Sequence, residues 1–270
     1  MLPAKTHLNH TVDIQNMARH EIKDHFYNTK TLVELWGDFI DWEKRREGEG
    51  DFFRRLLAGR KSIFESCLGD GCDAIHLTKG GFDVTSNEID SLFEGKAREN
   101  AERHGVRLNI TDFDWREMDR HLREGRFDGA LCLGNSLTYL FSKEDQMRTL
   151  QNFRFLLRKG GILIIDERNY QYFLDNSEKI LKGDFRYSGK YMYCGTRVHG
   201  KPVEIEENKV VMQYEDTKTG KRAYLVLYPF RKGELLSLLK EAGFRKITLY
   251  SDFKKGYDRN ADFYQYVAEK

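Results

Sequence analysis

Four polar positions in the 270-residue chain fall where strand-like segments end, and their chemistry suits a nucleoside and a small charged molecule. "CLGDG" (67–71) follows the strand-like "SIFES" (62–66). Gly69 and Gly71 allow close backbone approach, yet Cys67 stands where a dinucleotide-binding fingerprint has its first glycine. Glu88 ends a second strand-like run, where a carboxylate accepts hydrogen bonds from ribose hydroxyls. Asn135, in "CLGNS" (132–136), offers a donor and an acceptor on one amide. Arg168, in "DERNY" (166–170), carries a guanidinium fork that matches a carboxylate in bidentate fashion. NAD needs a pyrophosphate on a helix N-terminus and a full glycine fingerprint, of which only "GDG" remains. A cofactor with ribose and adenine but no phosphate fits better. Taken alone, the loop also reads as a plain strand–turn–helix.

The elements that would position these residues alternate between strand and helix from about residue 62, the pattern of a parallel sheet. "SIFES", "FDVTSNE", "RLNITDFD", "FDGALCLGNS" and "ILIIDERNY" read as five strands. "GCDAIHLTKGG", "IDSLFEGKARENAERHG" and "KEDQMRTLQNFRFLLRKGG" read as helices closed by glycines. Residues 172–232 break the alternation. They read as short antiparallel strands with turn signals at "HGKP" and "TKTGK", an inserted cap. "KGELLSLLKEAGF" then reads as an amphipathic helix, and "KITLYSDF" with "DFYQYVAEK" as a closing hairpin. Residues 20–60 read as helical and amphipathic, with Trp36 and Trp42 among the apolar positions.

Composition narrows the function classes. Charged residues are 33% of the chain, both signs interspersed, with a net charge of only +2. That disfavours a nucleic-acid or membrane-binding face. No apolar run approaches the ~18 residues of a membrane span, and the N-terminus has no secretory apolar core. Four cysteines (67, 72, 132 and 194) form no CxxC pair, so free thiols in a reducing cytoplasm are expected. His20 and His25 in "HEIKDH" are five apart, not the four of a zinc-binding helix, and no metal is expected.

The order of these motifs resembles class I S-adenosylmethionine-dependent methyltransferases. "CLGNS" and "DERNY", with "IDWEKRREGEG" upstream and "GFDVTS" and "LYPF" beside them, are similar to the glycine N-methyltransferase and glycine/sarcosine N-methyltransferase family, from about residue 24 to the end. "IDWEKRREGEG" leans toward the microbial enzymes that make osmolyte precursors. The resemblance implies an α/β, doubly wound, Rossmann-like methyltransferase sheet with an inserted antiparallel β cap and an N-terminal helical segment. It divides the chain into an N-terminal segment or lid (1–60), a cofactor-binding core (61–171 and 233–270) and a substrate cap (172–232).

It also implies roles. S-adenosylmethionine would meet Tyr27, Trp36, Arg45, Cys67, Glu88, Ile89, Asp114, Trp115, Leu133 and Ser136. Glu88 would hold the ribose, Ile89 would line the adenine pocket, and Asp114 and Trp115 would contact the base. Cys67 would lie by the methionine portion and Arg45, or Arg46 next to it, by the methionine carboxylate. Glycine or sarcosine would meet Tyr27, Asn135, Arg168, Tyr193, Tyr214 and Tyr228. Among these, Asn135, Arg168 and Tyr193 would serve catalysis, with Arg168 as carboxylate anchor. Several of these positions have a bland reading as well: Trp115 as core, Arg45 as a surface cation, the tyrosines as ordinary strand residues. The expected activity is methylation of glycine to sarcosine and of sarcosine to N,N-dimethylglycine, in betaine synthesis in the cytoplasm. A homo-oligomer is compatible with it. A methyltransferase for another small amine, a non-catalytic cofactor-binding regulator and a nucleic-acid methyltransferase are the rival readings.

Overall fold

Strand and helix alternate from residue 62 as the pattern requires, in a computed structural model that describes residues 25–185 and 196–270. β1 (Ser62–Ser66), β2 (Asp83–Asn87), β3 (Asn109–Thr111), β4 (Phe127–Cys132) and β5 (Leu157–Arg168) run parallel. β6 (Val198–Glu206), β7 (Lys209–Asp216) and β8 (Arg222–Leu227) form a separate antiparallel sheet in that order. β9 (Arg245–Ser251), β10 (Lys254–Lys255) and β11 (Phe263–Glu269) return to the large sheet, with β11 antiparallel between β5 and β9. The large sheet has the order β10-β9-β11-β5-β4-β1-β2-β3. β1 lies between β2 and β4, so the chain reverses its direction of travel across the sheet there. In such sheets the ligand crevice opens at that switch point, beyond the carboxyl ends of the strands.

Helices cover both faces, which is why the central strands are apolar throughout. All six residues of β4 are buried. Met118, Phe153 and Leu235 bring the helices on one face against Phe64, Leu163 and Tyr266. Phe52, Ile75 and Ala97 do the same on the other face against Ile63, Leu131 and Ile164. The helix after β1, Cys72–Lys79, starts at Gly71 with φ +88°, and a Cβ there would lie 3.2 Å from that of Ala97. Glycine is required twice over, by the dihedral and by the helix packed behind it.

A third core joins the N-terminal helix His25–Phe39 to the small sheet. Leu32, Leu35 and Phe39 pack on Val198, Val210, Met212 and Tyr214. Asn28 of this helix donates from Nδ2 to the Tyr224 carbonyl and accepts the Tyr224 amide at Oδ1. Its side chain thus completes the ladder at the open edge of β8.

Three local expectations differ from the structure. The helix Lys143–Leu156 stops before "RKGG", and β5 already begins at Leu157. Pairing jumps from Phe127–Leu157 to Gly129–Ile162, so residues 158–161 bulge out of the strand. "HGKP" lies inside β6, not at a turn. β6 is an edge strand with a register shift between Pro202 and Glu204, and an edge bulge tolerates a residue without an N–H. The stretch from 172 also starts with helix, because Tyr170–Asp175 and Ser177–Leu181 precede the first strand of the small sheet.

Candidate functional site

The loops after β4 and β5 are joined by one amide. Asn135 leaves β4 in the left-handed conformation with φ +65° and is buried. Its N–H donates to Asp166 Oδ1 at 2.7 Å. Its Nδ2 donates to the Tyr170 hydroxyl at 2.5 Å, and its Oδ1 accepts the Arg168 N–H at 3.0 Å. Burial pushes the Asp166 carboxyl pKa up to about 6, against the pull of the Asn135 amide it accepts. Burial likewise pushes the Tyr170 phenol up to about 12, opposed by the charge of Arg168 and the bond from Asn135. The Arg168 guanidinium carbon lies 4.6 Å from the ring centre of Phe263 and 5.6 Å from that of Phe173. Aromatic faces hold a guanidinium by its flat side, while its N–H groups point outward in the plane.

The loops after β1 and β2 are joined by one carboxylate. Glu88 Oε2 accepts the Gly69 N–H at 2.9 Å and Oε1 the Asp90 N–H at 3.0 Å. Burial pushes its pKa up to about 7 in spite of those two bonds. Ile89 next to it is an exposed large apolar residue, and a Cβ at Gly69 would meet open space. Cys67 has φ +56°, a conformation unusual outside glycine, and keeps part of its surface accessible. Burial pushes its thiol pKa well up, and the Glu88 carboxylate adds to the effect. Leu133 and Ser136 are buried, and Ser136 Oγ donates to the Leu133 carbonyl at 2.7 Å. This edge therefore offers carboxylate acceptors, open backbone at Gly69 and an apolar ledge at Ile89. That donor and acceptor set fits a ribose and a flat base without phosphate.

Other expected positions lie further out or are already engaged. Asp114 caps the turn Trp115–Glu117 and pairs with Arg116 at 2.7 Å, and Trp115 packs against the core below that turn. Arg45 binds Glu49 Oε1 at 2.9 Å and Asp73 Oδ2 at 2.6 Å, while Arg46 binds the second oxygen of each carboxylate. Trp36 and Tyr214 pack among rings, tilted at 59° with centroids 5.7 Å apart and with Phe39 and Phe93 alongside. Tyr228 donates to Glu234 Oε1 at 2.6 Å, its N–H to the Thr138 carbonyl at 2.7 Å. Burial and Glu234 raise its phenol to about 12. Tyr193 lies outside the described residues, and Tyr27 is described in its backbone only.

Sequence reasoning passed over Asp166 and Tyr170, although both stand in "DERNY". Their signal was alternation at a strand end: Asp166 and Arg168 fall on the face of β5 opposite Glu167, and Tyr170 starts the next helix. It also missed the pairs of Arg45: Glu49 stands four residues on, a helical spacing that could have signalled it, whereas Asp73, 28 residues on, declares no pairing in sequence. Among the described residues no group of three His, Cys, Asp or Glu side chains could hold a metal ion, and no helix is long and apolar enough to cross a membrane.

Comparison with known proteins agrees with this architecture. Residues 63–161 match a family model described as a methyltransferase domain. The glycine/sarcosine N-methyltransferase of Aphanothece halophytica is 38% identical over 252 residues, 92% of each chain. The enzyme of the same name from Halorhodospira halochloris is 37% identical over 242 residues, covering 88% of this chain and 87% of its own. A crystal structure of an S-adenosylmethionine-dependent methyltransferase from Clostridium acetobutylicum superposes with a TM-score of 0.66 at 16% identity, over 91% of this chain and 99% of that one. With such identity along almost the whole chain, this protein belongs to the glycine/sarcosine N-methyltransferase family and is an S-adenosylmethionine-dependent N-methyltransferase.

Proposed function

We propose that this enzyme methylates glycine to sarcosine and sarcosine to N,N-dimethylglycine, as a cytoplasmic step of betaine (osmolyte) synthesis. The names of its relatives support that substrate class. The observation that carries it is the tie made by Asn135 between the strand tips, from Tyr170 to the backbone of Arg168. This tie fixes where the guanidinium stands relative to the β4 loop. In this reading Arg168 receives the carboxylate of the amino acid in bidentate form. Asn135, whose amide groups serve Arg168 and Tyr170, orients them and has a second amide proton for the substrate.

S-adenosylmethionine, when bound, supplies a methyl group on a sulfonium, open to in-line displacement by a neutral amine. The chain's own part is placement. Holding an amine in line accounts for much of such a rate, so rigid tips matter more than acid–base groups. Glu88 takes the ribose, Ile89, Asp114 and Trp115 the base, and Cys67, Leu133 and Ser136 the methionine portion. Tyr27, Trp36 and Arg45 cover the cofactor from the N-terminal segment (1–60). Tyr193, Tyr214 and Tyr228 of the cap (172–232) are the residues this reading assigns to the acceptor, over a core of 61–171 and 233–270. Within that division, the tilted ring contact of Trp36 and Tyr214 supports the seam between lid and cap.

Assay with methyl-labelled cofactor against glycine, sarcosine, dimethylglycine and RNA tests the reading. Label is expected in sarcosine and dimethylglycine, and none in RNA. No transfer to either glycine or sarcosine overturns it.

A further inference from the structure

Asn169 follows Arg168 directly and is buried, 5% exposed. Its Nδ2 donates to two carbonyls, that of Arg259 at 3.0 Å and that of Ala261 at 2.9 Å. Its Oδ1 accepts the Tyr172 N–H at 3.1 Å, and its own N–H donates to the Asp262 carbonyl at 2.9 Å. An amide side chain has two protons, and both are used here. None is left for a substrate. The side chain instead joins three segments: the end of β5, the start of the helix Tyr170–Asp175 and the loop 256–262 that leads into β11.

Two of these segments carry the rings beside Arg168. Phe263 opens β11 opposite Arg168 in the ladder, with its ring centre 4.6 Å from the guanidinium carbon. Phe173 belongs to the helix, with its ring centre 5.6 Å away. Asp252 holds the Phe263 backbone from the β9 side, accepting the N–H groups of Asp262 and Phe263. Asn169 holds the loop from the β5 side and caps the helix of Phe173 with the same amide. Aromatic faces restrain a guanidinium by its flat side, so the rings set the plane of its N–H fork. A bidentate grip on a carboxylate depends on that plane.

We infer that Asn169 is a positioning residue for the substrate carboxylate, acting through Arg168 by fixing the two aromatic faces that orient the guanidinium. This rests on the anchor reading of Arg168 made above. The Arg168 backbone is tied separately, to Asn135. Loss of the Asn169 amide therefore leaves the arginine in place and loosens its orientation. The cost falls on the grip of the amino acid. The edge held by Glu88, assigned to the cofactor, makes its bonds elsewhere, to Gly69 and Asp90.

The test is Asn169→Ser. Serine caps a helix as well as asparagine does, so the Tyr172 N–H keeps an acceptor, but a hydroxyl cannot supply two amide protons to the loop. KM for glycine and sarcosine is expected to rise roughly fivefold to fiftyfold. At ~1.4 kcal/mol per decade, a kcat and a calorimetric Kd for S-adenosylmethionine within about threefold of the parent count as retained. Phe263→Leu, which leaves the clamp and removes the nearer ring, should raise KM in the same way. In an Arg168→Lys background no flat fork remains to be oriented, so there Asn169→Ser should change KM by less than about twofold. Arg168→Ala tests the anchor reading separately: parental kcat/KM in that variant ends the reading and the inference with it. If Arg168→Ala is impaired but Asn169→Ser or Phe263→Leu keeps the parental KM, the inference alone is overturned. An equal rise in KM in the Arg168→Lys background also overturns it, because the amide then acts apart from the fork. Loss of cofactor binding and of the thermal transition in Asn169→Ser overturns it too, since the amide is then structural only.

Discussion

Two arginines of this molecule stand in opposite surroundings. Arg45 lies within a lattice of ion pairs, where two guanidinium groups and the carboxylates of Glu49 and Asp73 satisfy one another. Arg168 is set against the rings of Phe263 and Phe173, with its backbone tied to Asn135. The first arrangement is closed on itself and neutral. Its electrostatic gain goes to pinning the short helix Trp42–Glu49 onto the helix after β1. The second sets the guanidinium against polarizable faces, which hold a cation by its flat side. One residue type thus joins two helices in one place and lies against rings in another, and the chemistry of the neighbours decides which.

Breaking the closed side is expected to have the largest effect. Asp73→Ala leaves Arg45 and Arg46 with one carboxylate between them, and removing one partner from a buried pair costs about 3–5 kcal/mol. Urea unfolding at neutral pH should show that loss. Burial pushes the Asp73 pKa up, but Arg45 and Arg46 outweigh it and leave it below the ordinary 3.8. A carboxyl with a depressed folded pKa stabilises above its unfolded pKa and loses that contribution as pH falls through the folded one. The deficit of Asp73→Ala should therefore be full at neutrality and fade only at strongly acidic pH. An unfolding midpoint equal to the parent's at pH 7 contradicts the closed-lattice account.

Breaking the other side should leave the fold intact and cost function. Arg168→Ala should lower kcat/KM for glycine and sarcosine by about thirtyfold to several thousandfold, the equivalent of ~2–5 kcal/mol for a carboxylate left without its partner. Cofactor binding should stay near normal. Arg168→Lys keeps the charge without the fork and should remain clearly impaired. Full activity of Arg168→Ala on sarcosine ends the anchor assignment and, with it, the contrast between the two arginines.

Glu88 sharpens the comparison with the smallest effect, because it is a buried acid with amide partners only. Glu88→Gln should weaken S-adenosylmethionine by ~1.5–3 kcal/mol, read by titration calorimetry. The ligand-free protein should respond the other way. A carboxyl whose pKa rises from 4.5 to about 7 on folding stabilises below 4.5 and loses that contribution as pH climbs to about 7. Melting of the parent should show that decline between pH 4.5 and 7, and the glutamine variant should lack it. Identical pH slopes for the two proteins show that the acid is not held as described.

The sequence by itself determined the strands and their tips. Runs such as "GALC" and "ILII" are too apolar to rest anywhere but between two helical layers, and the polar residues that follow must then emerge at one edge. That logic located Glu88, Asn135 and Arg168 without any view of the fold. Only the tertiary structure decided what each polar group faces. Asn135 reads as a substrate ligand in sequence, but its amide first has to satisfy Tyr170 and the Arg168 N–H, because buried polar groups must be paired. Arg45 reads as a cofactor ligand, and the structure adds what the sequence does not show, that Asp73, 28 residues on in the helix after β1, binds its guanidinium. "HGKP" reads as a turn, but the neighbouring strand holds it extended. Local pattern fixes where a side chain leaves the backbone. Long-range packing, which no short window of sequence contains, fixes what it meets.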